Sequence, residues 1–139
     1  MDIVMKHRPT LTLDDARRIA AAAEAEALAN AWLVSIAVVD DGGHLLWVQR
    51  LDGAAPVSAA IAQAKARTSA LGRRESKDYE AMINGGRTAF LSVAAIDGLL
   101  EGGVPVLVDG QCVGAVGVSG VKPGEDAQVA RAGIAALVP

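Results

Sequence analysis

The stretch Cys112-Val-Gly-Ala-Val-Gly-Val-Ser119 is apolar or small at every position, which predicts a strand buried on both of its faces. Strict alternation places Cys112, Gly114, Val116 and Val118 on one face, and Val113, Ala115, Gly117 and Ser119 on the other. A second run, Leu33-Val-Ser-Ile-Ala-Val-Val-Asp40, is rich in β-branched residues and is also largely apolar on both faces. We therefore expect both strands in the middle of a sheet whose two sides are covered by helices or by another subunit.

Each of these runs is joined to a neighbouring strand by a short connection. Asp41-Gly42-Gly43 predicts a turn into a strand over His44 to Arg50. Asp109-Gly110 joins a strand over Val104 to Val108 to the one that starts at Cys112. Because a two-residue Asp-Gly turn takes positive φ at both positions, it is typical of an antiparallel hairpin. The sequence thus predicts two antiparallel hairpins.

Helical patterns flank the hairpins. The first runs from Leu13 to about Ala31, with Thr12 as its N-cap and Asp14 and Asp15 in the first turn. Ser58 is the candidate cap of a second helix that ends near Leu71. A short helix is predicted near Asp78 to Ile83, within a segment (Gly72 to Gly103) that otherwise shows no clean period. Glu125 and Asp126 open a last helix that ends near Leu137. The predicted class is α/β (α+β), a largely antiparallel sheet with helices packed on it.

Composition fits a single domain. The chain has 139 residues, of which 52% are apolar and 3% aromatic, so its core is aliphatic and rich in alanine. We expect a loose N-terminal arm over residues 1–10 and one domain over 11–139. Because small side chains each bury little area, such a domain gains from burying further surface against copies of itself. This predicts a homo-oligomer.

Charge and hydropathy argue against two kinds of partner. The formal net charge is −3 and no stretch combines basic and aromatic residues, which argues against nucleic acid. No run approaches the ~18 apolar residues that span a bilayer, and we find no signal peptide, so we expect no membrane partner. The single cysteine, Cys112, cannot form an internal disulfide. A cytoplasmic location is the expectation.

Several short motifs, in their order and spacing, resemble one family. They are Val38-Val-Asp-Asp-Gly-Gly43, Gln49-Arg-Leu-Asp-Gly-Ala54, Lys65-Ala-Arg-Thr-Ser-Ala70, Gly102-Gly-Val-Pro-Val106 and Gly114-Ala-Val-Gly-Val-Ser-Gly120, followed by Glu125-Asp126. From Leu11 to Leu137 the chain resembles the GlcG/HbpS family, which also forms the C-terminal part of PduO-type proteins. The resemblance implies a profilin-like α/β sandwich assembled from several subunits. Some members bind haem, others are encoded in catabolic operons, and a few act on carboxylate or imine-like intermediates of aromatic breakdown.

Arg50 and Asp52 flank the end of the second strand. The planar guanidinium of Arg50 suits a carboxylate ligand, with Asp52 orienting it. The alternative is a structural Arg–Asp pair that pins the loop to the sheet.

Lys65, Thr68 and Ser69 share one face of the second helix because they lie three and four residues apart. This face can bind an anion, and a desolvated Lys65 can act as a base or form a Schiff base. The alternative is a solvated lysine on an amphipathic helix. The resemblance supports the functional interpretation, since the Lys65 to Ala70 segment follows the family pattern.

Two glycine-containing corners are further candidates. Gly102-Gly103 can expose backbone N–H groups to a ligand, or simply make a turn. Ser119-Gly120 is predicted near the N-terminus of the last helix, which suits an anion. Glu125 and Asp126 already place negative charge there, so capping alone also explains the pattern.

Haem is a possible cofactor, with His44 or His7 as iron ligand, although either can be an ordinary surface histidine. The family resemblance implies a haem-ligating histidine after the second helix in PduO-type members, but Gly72 to Met82 holds none, and Tyr79 is a weak substitute there. Cys112 is a candidate nucleophile or a core residue, and the core interpretation is favoured because no histidine lies near it in sequence. Gly85-Gly86-Arg87 reaches a ligand or makes a turn.

Three hypotheses follow from these residues. The first is a binding protein that holds a small anionic ligand, or haem, near Arg50, Lys65, Gly103 and Ser119. The second is a hydrolase or isomerase in which Lys65 is the base or Schiff-base former and Arg50 clamps a carboxylate. The third is a structural or regulatory subunit without a ligand. We expect no metal site other than haem iron.

Overall fold

The computed structural model describes residues 1–137. Its elements, in chain order, are α1 (Leu13–Ala29), β1 (Ser35–Asp40), β2 (Leu45–Arg50), α2 (Pro56–Gly72), α3 (Ser76–Asn84), a 3₁₀ helix (Thr88–Ser92), β3 (Gly103–Val108), β4 (Gln111–Ser119) and α4 (Pro123–Ala135). The strands form one antiparallel sheet in the order β2-β1-β4-β3. The predicted α/β class and its antiparallel sheet are confirmed.

The two doubly apolar strands, β1 and β4, lie side by side in the centre of this sheet, as predicted. On one face α1 and α4 cover an aliphatic core that includes Ile36, Val38, Val116 and Val118. On the other face α2 packs on a smaller, alanine-rich cluster. Gly117 permits this contact, since a Cβ at Gly117 would collide with the carbonyl of Ala62 on α2. The sheet therefore has helices on both sides.

Both predicted hairpins are present. Asp109 and Gly110 have φ of 51° and 76°, as a two-residue turn of the predicted kind needs. In the β1–β2 turn, a side-chain oxygen of Asp40 accepts hydrogen bonds of 2.9 Å from the backbone N–H groups of Gly42 and His44. These short connections pair β1 with β2 and β3 with β4, whereas the central pairing of β1 with β4 joins distant parts of the chain.

The prediction that side chains alternate strictly between the two faces of β4 is wrong at the start of the strand. The pairing of β3 with β4 shifts register between Val106 and Leu107, and Leu107 lies opposite Cys112. This bulge turns Val113 into the core beside Val116, whereas the Cys112 thiol lies near the carbonyl of Ala70 on α2. One extra residue in a strand moves the side chains before it to the other face.

Thr12 caps α1 as predicted, because its hydroxyl accepts a 3.1 Å hydrogen bond from the Asp15 N–H. Two other helix starts were placed too late. The second helix begins at Pro56, and Ser58 lies inside its first turn, where its hydroxyl donates to the carbonyl of Ala55. The last helix likewise begins at Pro123, ahead of Glu125. Proline suits the first helical position because its fixed φ is helical and its missing N–H has no partner there.

Candidate functional site

Lys65 crosses from α2 towards α4 beside the first residues of β3. Its side chain is 4% exposed, and its ammonium donates to the carbonyl of Val118 (3.0 Å) and to the carboxylate of Asp126 (3.1 Å). The interpretation of Lys65 as a solvated surface lysine is therefore wrong. The ammonium joins α2, β4 and α4 at one buried point.

Asp126, in the first turn of α4, is the counter-charge of Lys65. The carboxylate also accepts a 3.1 Å hydrogen bond from the Val121 N–H. Burial raises the pKa of Asp126 above its ordinary value, while the Lys65 ammonium and the Val121 N–H oppose that rise. The sequence placed Asp126 at a helix start but gave no sign of its partner, because the two residues lie 61 positions apart.

Gly102 and Gly103 give this ion pair its space. Gly102 has a φ of 131°, and a Cβ there would lie 2.7 Å from the Lys65 ammonium nitrogen. The Gly103 N–H donates a 2.8 Å hydrogen bond to the Ser76 hydroxyl. The glycines thus let β3 approach α2 closely, and the N–H of Gly103 is engaged within the chain.

The hydroxyls next to Lys65 hold the segment that follows α2. Thr68 donates to the carbonyl of Asp97, and Ser69 donates to the carbonyl of Arg74 at 2.6 Å. Both residues are fully buried. The polar face of α2 predicted from the sequence is therefore an internal anchor for the chain between α2 and β3.

Arg50 and Asp52 lie apart from this cluster. Arg50 pairs with Ser35 on β1, which in turn pairs with Ser119 on β4, so the backbones of Arg50 and Ser119 are separated by about 10 Å at the usual spacing of strands. Both Arg50 and Asp52 are exposed, and within residues 1–137 neither forms an ion pair. The structure thus brings Lys65, Gly102 and the Val118–Ser119 peptide together, and leaves the predicted carboxylate clamp at the outer strand.

A cleft of about 520 Å³, which we call the arm cleft, lies where the N-terminal arm crosses the hairpin ends. Arg8 anchors the arm, since its guanidinium donates to the carbonyl of Cys112 (2.7 Å) and lies 3.1 Å from the Asp41 carboxylate. Arg73, at the end of α2, donates to the backbone carbonyl of Asp41. The cleft is lined by Lys6, His7, Arg8, Arg73, Gln111 and Cys112.

The lining of the arm cleft is strongly basic. Lys6, Arg8 and Arg73 carry three formal positive charges, and the carboxylate that contacts two of them is Asp41. Sequence reasoning did not single out this site, since Lys6 and Arg8 were assigned to a loose arm. The available signal was the basic run Lys6-His7-Arg8.

The remaining candidates are placed as follows. Cys112 is buried, as the core interpretation predicts, and its thiol donates to the carbonyl of Gly114 at 3.3 Å. Cys112 also lines the arm cleft, together with His7. His44 is exposed after the β1–β2 turn. Tyr79 is buried edge-to-face against Phe90, 5.5 Å between ring centroids. Arg87, after the Gly85-Gly86 corner, stacks over the ring of Phe90, with its guanidinium carbon 4.7 Å from the ring centroid.

Within 1–137, no three His, Cys, Asp or Glu side chains are grouped so as to hold a metal ion. No helix in that range combines the length and the apolar content needed to cross a membrane.

Comparison with known proteins gives a consistent result. Residues 11–135 match the model of a family described as haem degrading protein, HbpS-like. Protein GlcG of Escherichia coli K12 is 58% identical over 115 residues, which is 83% of this chain and 85% of GlcG. The crystal structure of Klebsiella pneumoniae protein ORFY superposes with a TM-score of 0.89 at 29% identity, covering 98% of this chain and 96% of ORFY. A double mutant of Streptomyces reticuli HbpS gives a TM-score of 0.88 at 33% identity, covering 97% and 92%.

Proposed function

Because the chain belongs to the HbpS-like family, we propose that it is a small-ligand-binding protein whose ligand is negatively charged, either an anionic metabolite or haem. The observation that carries the proposal is the convergence of Lys6, Arg8 and Arg73 on one cleft of about 520 Å³. A cleft of that size lies within the range that holds small molecules. Guanidinium groups match the geometry of carboxylates, which are the charged groups of both ligand classes.

The internal contacts of the arm cleft prepare it for an anion. Asp41 contacts both Arg8 and Arg73, so it holds the two guanidinium groups in place without cancelling their combined charge. Lys6 adds a third positive charge on a flexible stem. Because cations held by protein contacts lose less conformational freedom on binding, an anion gains more from this arrangement than from three mobile surface lysines.

The donor set of the arm cleft also suits haem. Imidazole is a common axial ligand of haem iron, and His7 supplies one beside cations that can pair with the two propionates. When bound, haem would supply a redox-active iron. The chain would supply the axial nitrogen of His7 and the charges of Arg8 and Arg73.

A titration with oxalate, citrate and phosphate, followed by calorimetry and by thermal shift, tests the anion proposal. We expect citrate to bind, and Arg73→Gln to weaken it about fivefold, the effect of losing ~1 kcal/mol from a half-exposed charge contact. Arg18→Gln is the matched control, because it removes an exposed surface pair on α1 and should leave citrate binding unchanged. No response to any of these anions or to haemin would favour the third hypothesis, a subunit without a ligand.

Haemin addition separates the two histidines. If haem binds through the arm cleft, a Soret band appears, and His7→Ala shifts or removes it while His44→Ala leaves it intact. Loss of the band in His44→Ala alone would place the iron on the outer hairpin and contradict the arm-cleft assignment.

A second proposal is that the ligand contacts residues outside the arm cleft. These residues are Arg50, Asp52, Lys65, Thr68, Ser69, Gly102, Gly103 and Ser119.

The geometry lends less support to the enzyme hypothesis, in which Lys65 is the base or Schiff-base former, because the Lys65 ammonium is buried and already bonded to Asp126. Borohydride trapping of a carbonyl substrate on Lys65 would support that hypothesis instead.

We propose further that the protein acts as a homo-oligomer in the cytoplasm. Both outer strands carry exposed aliphatic side chains, Leu45 and Val48 on β2 and Leu107 and Val108 on β3, which suits association with another copy. The free thiol of Cys112 suits a reducing compartment. Light scattering on the eluted protein measures the subunit number directly, and a monomer at micromolar concentration would contradict the oligomer.

A further inference from the structure

A second cleft, of about 500 Å³, lies between α3 and the chain that leads into β3. We call it the α3 cleft. Aliphatic side chains make up most of its lining, namely Ile83, Leu91, Ile96, Leu99 and Leu100. A mainly apolar cleft with a few polar groups is the usual form of a small-molecule site.

The wall of the α3 cleft is fixed to the rest of the fold. Thr68 on α2 donates to the carbonyl of Asp97, and Ser76 on α3 donates to the carbonyl of Leu100. Gly98 lies directly on α2, since a Cβ there would be 2.7 Å from the Cβ of Ala64. Because the Thr68 and Ser76 side chains that hold this wall are buried, the wall is in place before any ligand arrives.

The polar groups of the α3 cleft are acidic or neutral. They are Glu80, Asp97 and Asn84, and among residues 1–137 no lysine, arginine or histidine lines this cleft. Asp97 is paired with Arg67. Glu80 accepts a 3.4 Å hydrogen bond from the Glu101 N–H, and within residues 1–137 it forms no ion pair. Glu80 is therefore the carboxylate available to a ligand.

We propose that the α3 cleft binds a small apolar molecule that carries a protonated amine. The aliphatic wall takes the hydrocarbon part, and Glu80 receives the ammonium group with the Asn84 side-chain carbonyl as a second acceptor. The preference is opposite in sign to that of the arm cleft, where cations line the site. The inference thus concerns a separate site and does not depend on the proposed function.

Hexylamine, hexanol and hexanoate test the charge preference, because they share one hydrocarbon chain and differ in the head group. Calorimetry or saturation-transfer NMR should rank hexylamine above hexanol, with hexanoate weakest. Glu80→Gln keeps the shape of the side chain, and it should lower hexylamine affinity about threefold to fivefold, towards that of hexanol. Glu26→Gln on α1, which lies outside the lining of the α3 cleft, is the matched control and should change nothing.

Chain length tests the apolar wall. Affinity should rise about fourfold per methylene from butylamine to hexylamine if each added group becomes buried. The proposal would be overturned if the three head groups bind equally well or if Glu80→Gln leaves hexylamine affinity unchanged. It would also be overturned if nothing binds, as would happen if a second copy of the chain covers the cleft. Arg73→Gln, which alters the arm cleft, should leave hexylamine affinity unchanged, so failure at one site is distinguishable from failure at the other.

Discussion

Replacing Lys65 by methionine tests the buried ion pair most severely. The substitution keeps the length of the side chain but removes the ammonium, which leaves the Asp126 carboxylate buried without its counter-charge and the Val118 carbonyl without a donor. Breaking one partner of a buried pair costs about 3–5 kcal/mol. For a chain of 139 residues, about 3 °C of melting temperature is lost per kcal/mol, so we expect Lys65→Met to melt about 10–15 °C below the wild type at pH 7.

The cost of Lys65→Met should depend on pH. In the wild type, burial raises the pKa of Asp126, so folding favours the protonated carboxyl group. The stability that this protonation contributes is fully present below the ordinary pKa of 3.8, and it is lost as pH rises through the raised pKa of the folded state. Lys65 opposes that rise, so removing it raises the pKa of Asp126 further. The difference in unfolding free energy between wild type and Lys65→Met should therefore be smallest in acid, where Asp126 is protonated, and should grow as pH rises towards 7.

Urea unfolding followed by tryptophan fluorescence measures this difference, since Trp32 and Trp47 pack against the core on the α1 and α4 side. Lys77→Met is the matched control, because Lys77 is half-exposed beside Glu75 at 3.7 Å, and it should cost less than ~1 kcal/mol. Asp126→Asn should also destabilise at pH 7, because it leaves the buried Lys65 ammonium without a counter-charge and its single amide oxygen cannot accept from both Lys65 and Val121. A loss below ~1 kcal/mol for Lys65→Met at pH 7, or one that does not vary with pH, would refute the reasoning.

Three further predictions concern the fold. Gly102→Ala should destabilise the protein by about 1–3 kcal/mol, because the φ of 131° and the contact with Lys65 both exclude a Cβ. Gly124→Ala, whose Cβ would meet open space, should be neutral or slightly stabilising in thermal melts. Equal melting temperatures for the two variants would be inconsistent with the contact at Gly102. Thr12→Ala should lose about 1 kcal/mol in urea unfolding through the missing cap to Asp15, and an unchanged midpoint would mean that the cap has no energetic weight. The Cys112 thiol should react with a disulfide reagent only on unfolding, because it is buried and bonded to a backbone carbonyl, so rapid labelling of native protein would show that the arm cleft opens to the sulfur.

The central strands were predictable because their signal is local. Residues 36–39 and 113–118 are apolar or small at consecutive positions, and burial on both faces is what that pattern requires. The Asp109-Gly110 turn was predictable for the same reason, since two adjacent residues carry the whole geometric demand. The starts of α2 and α4 were misplaced because hydroxyl and acidic side chains were given more weight than Pro56 and Pro123.

The candidate site was less accessible to sequence reasoning, because its contacts join distant parts of the chain. Lys65 was recognised as important, but its partner Asp126 is brought near by the packing of α2 and α4 on opposite faces of the sheet. The arm cleft likewise depends on where Arg8 docks, and its contact with Cys112 spans 104 residues. No periodicity or spacing within one segment encodes either meeting.

The most direct test of the binding claim is to map where an anion binds. Two-dimensional ¹H–¹⁵N NMR of the labelled protein should show, on addition of citrate, shifts confined to the amides around Lys6–Arg8, Asp41, Arg73 and Gln111–Cys112, with an unchanged spectrum at Arg50 and Ser119. Shifts centred on Arg50, Gly103 and Ser119, or no saturable shifts at all, would contradict the assignment of the arm cleft as the ligand site.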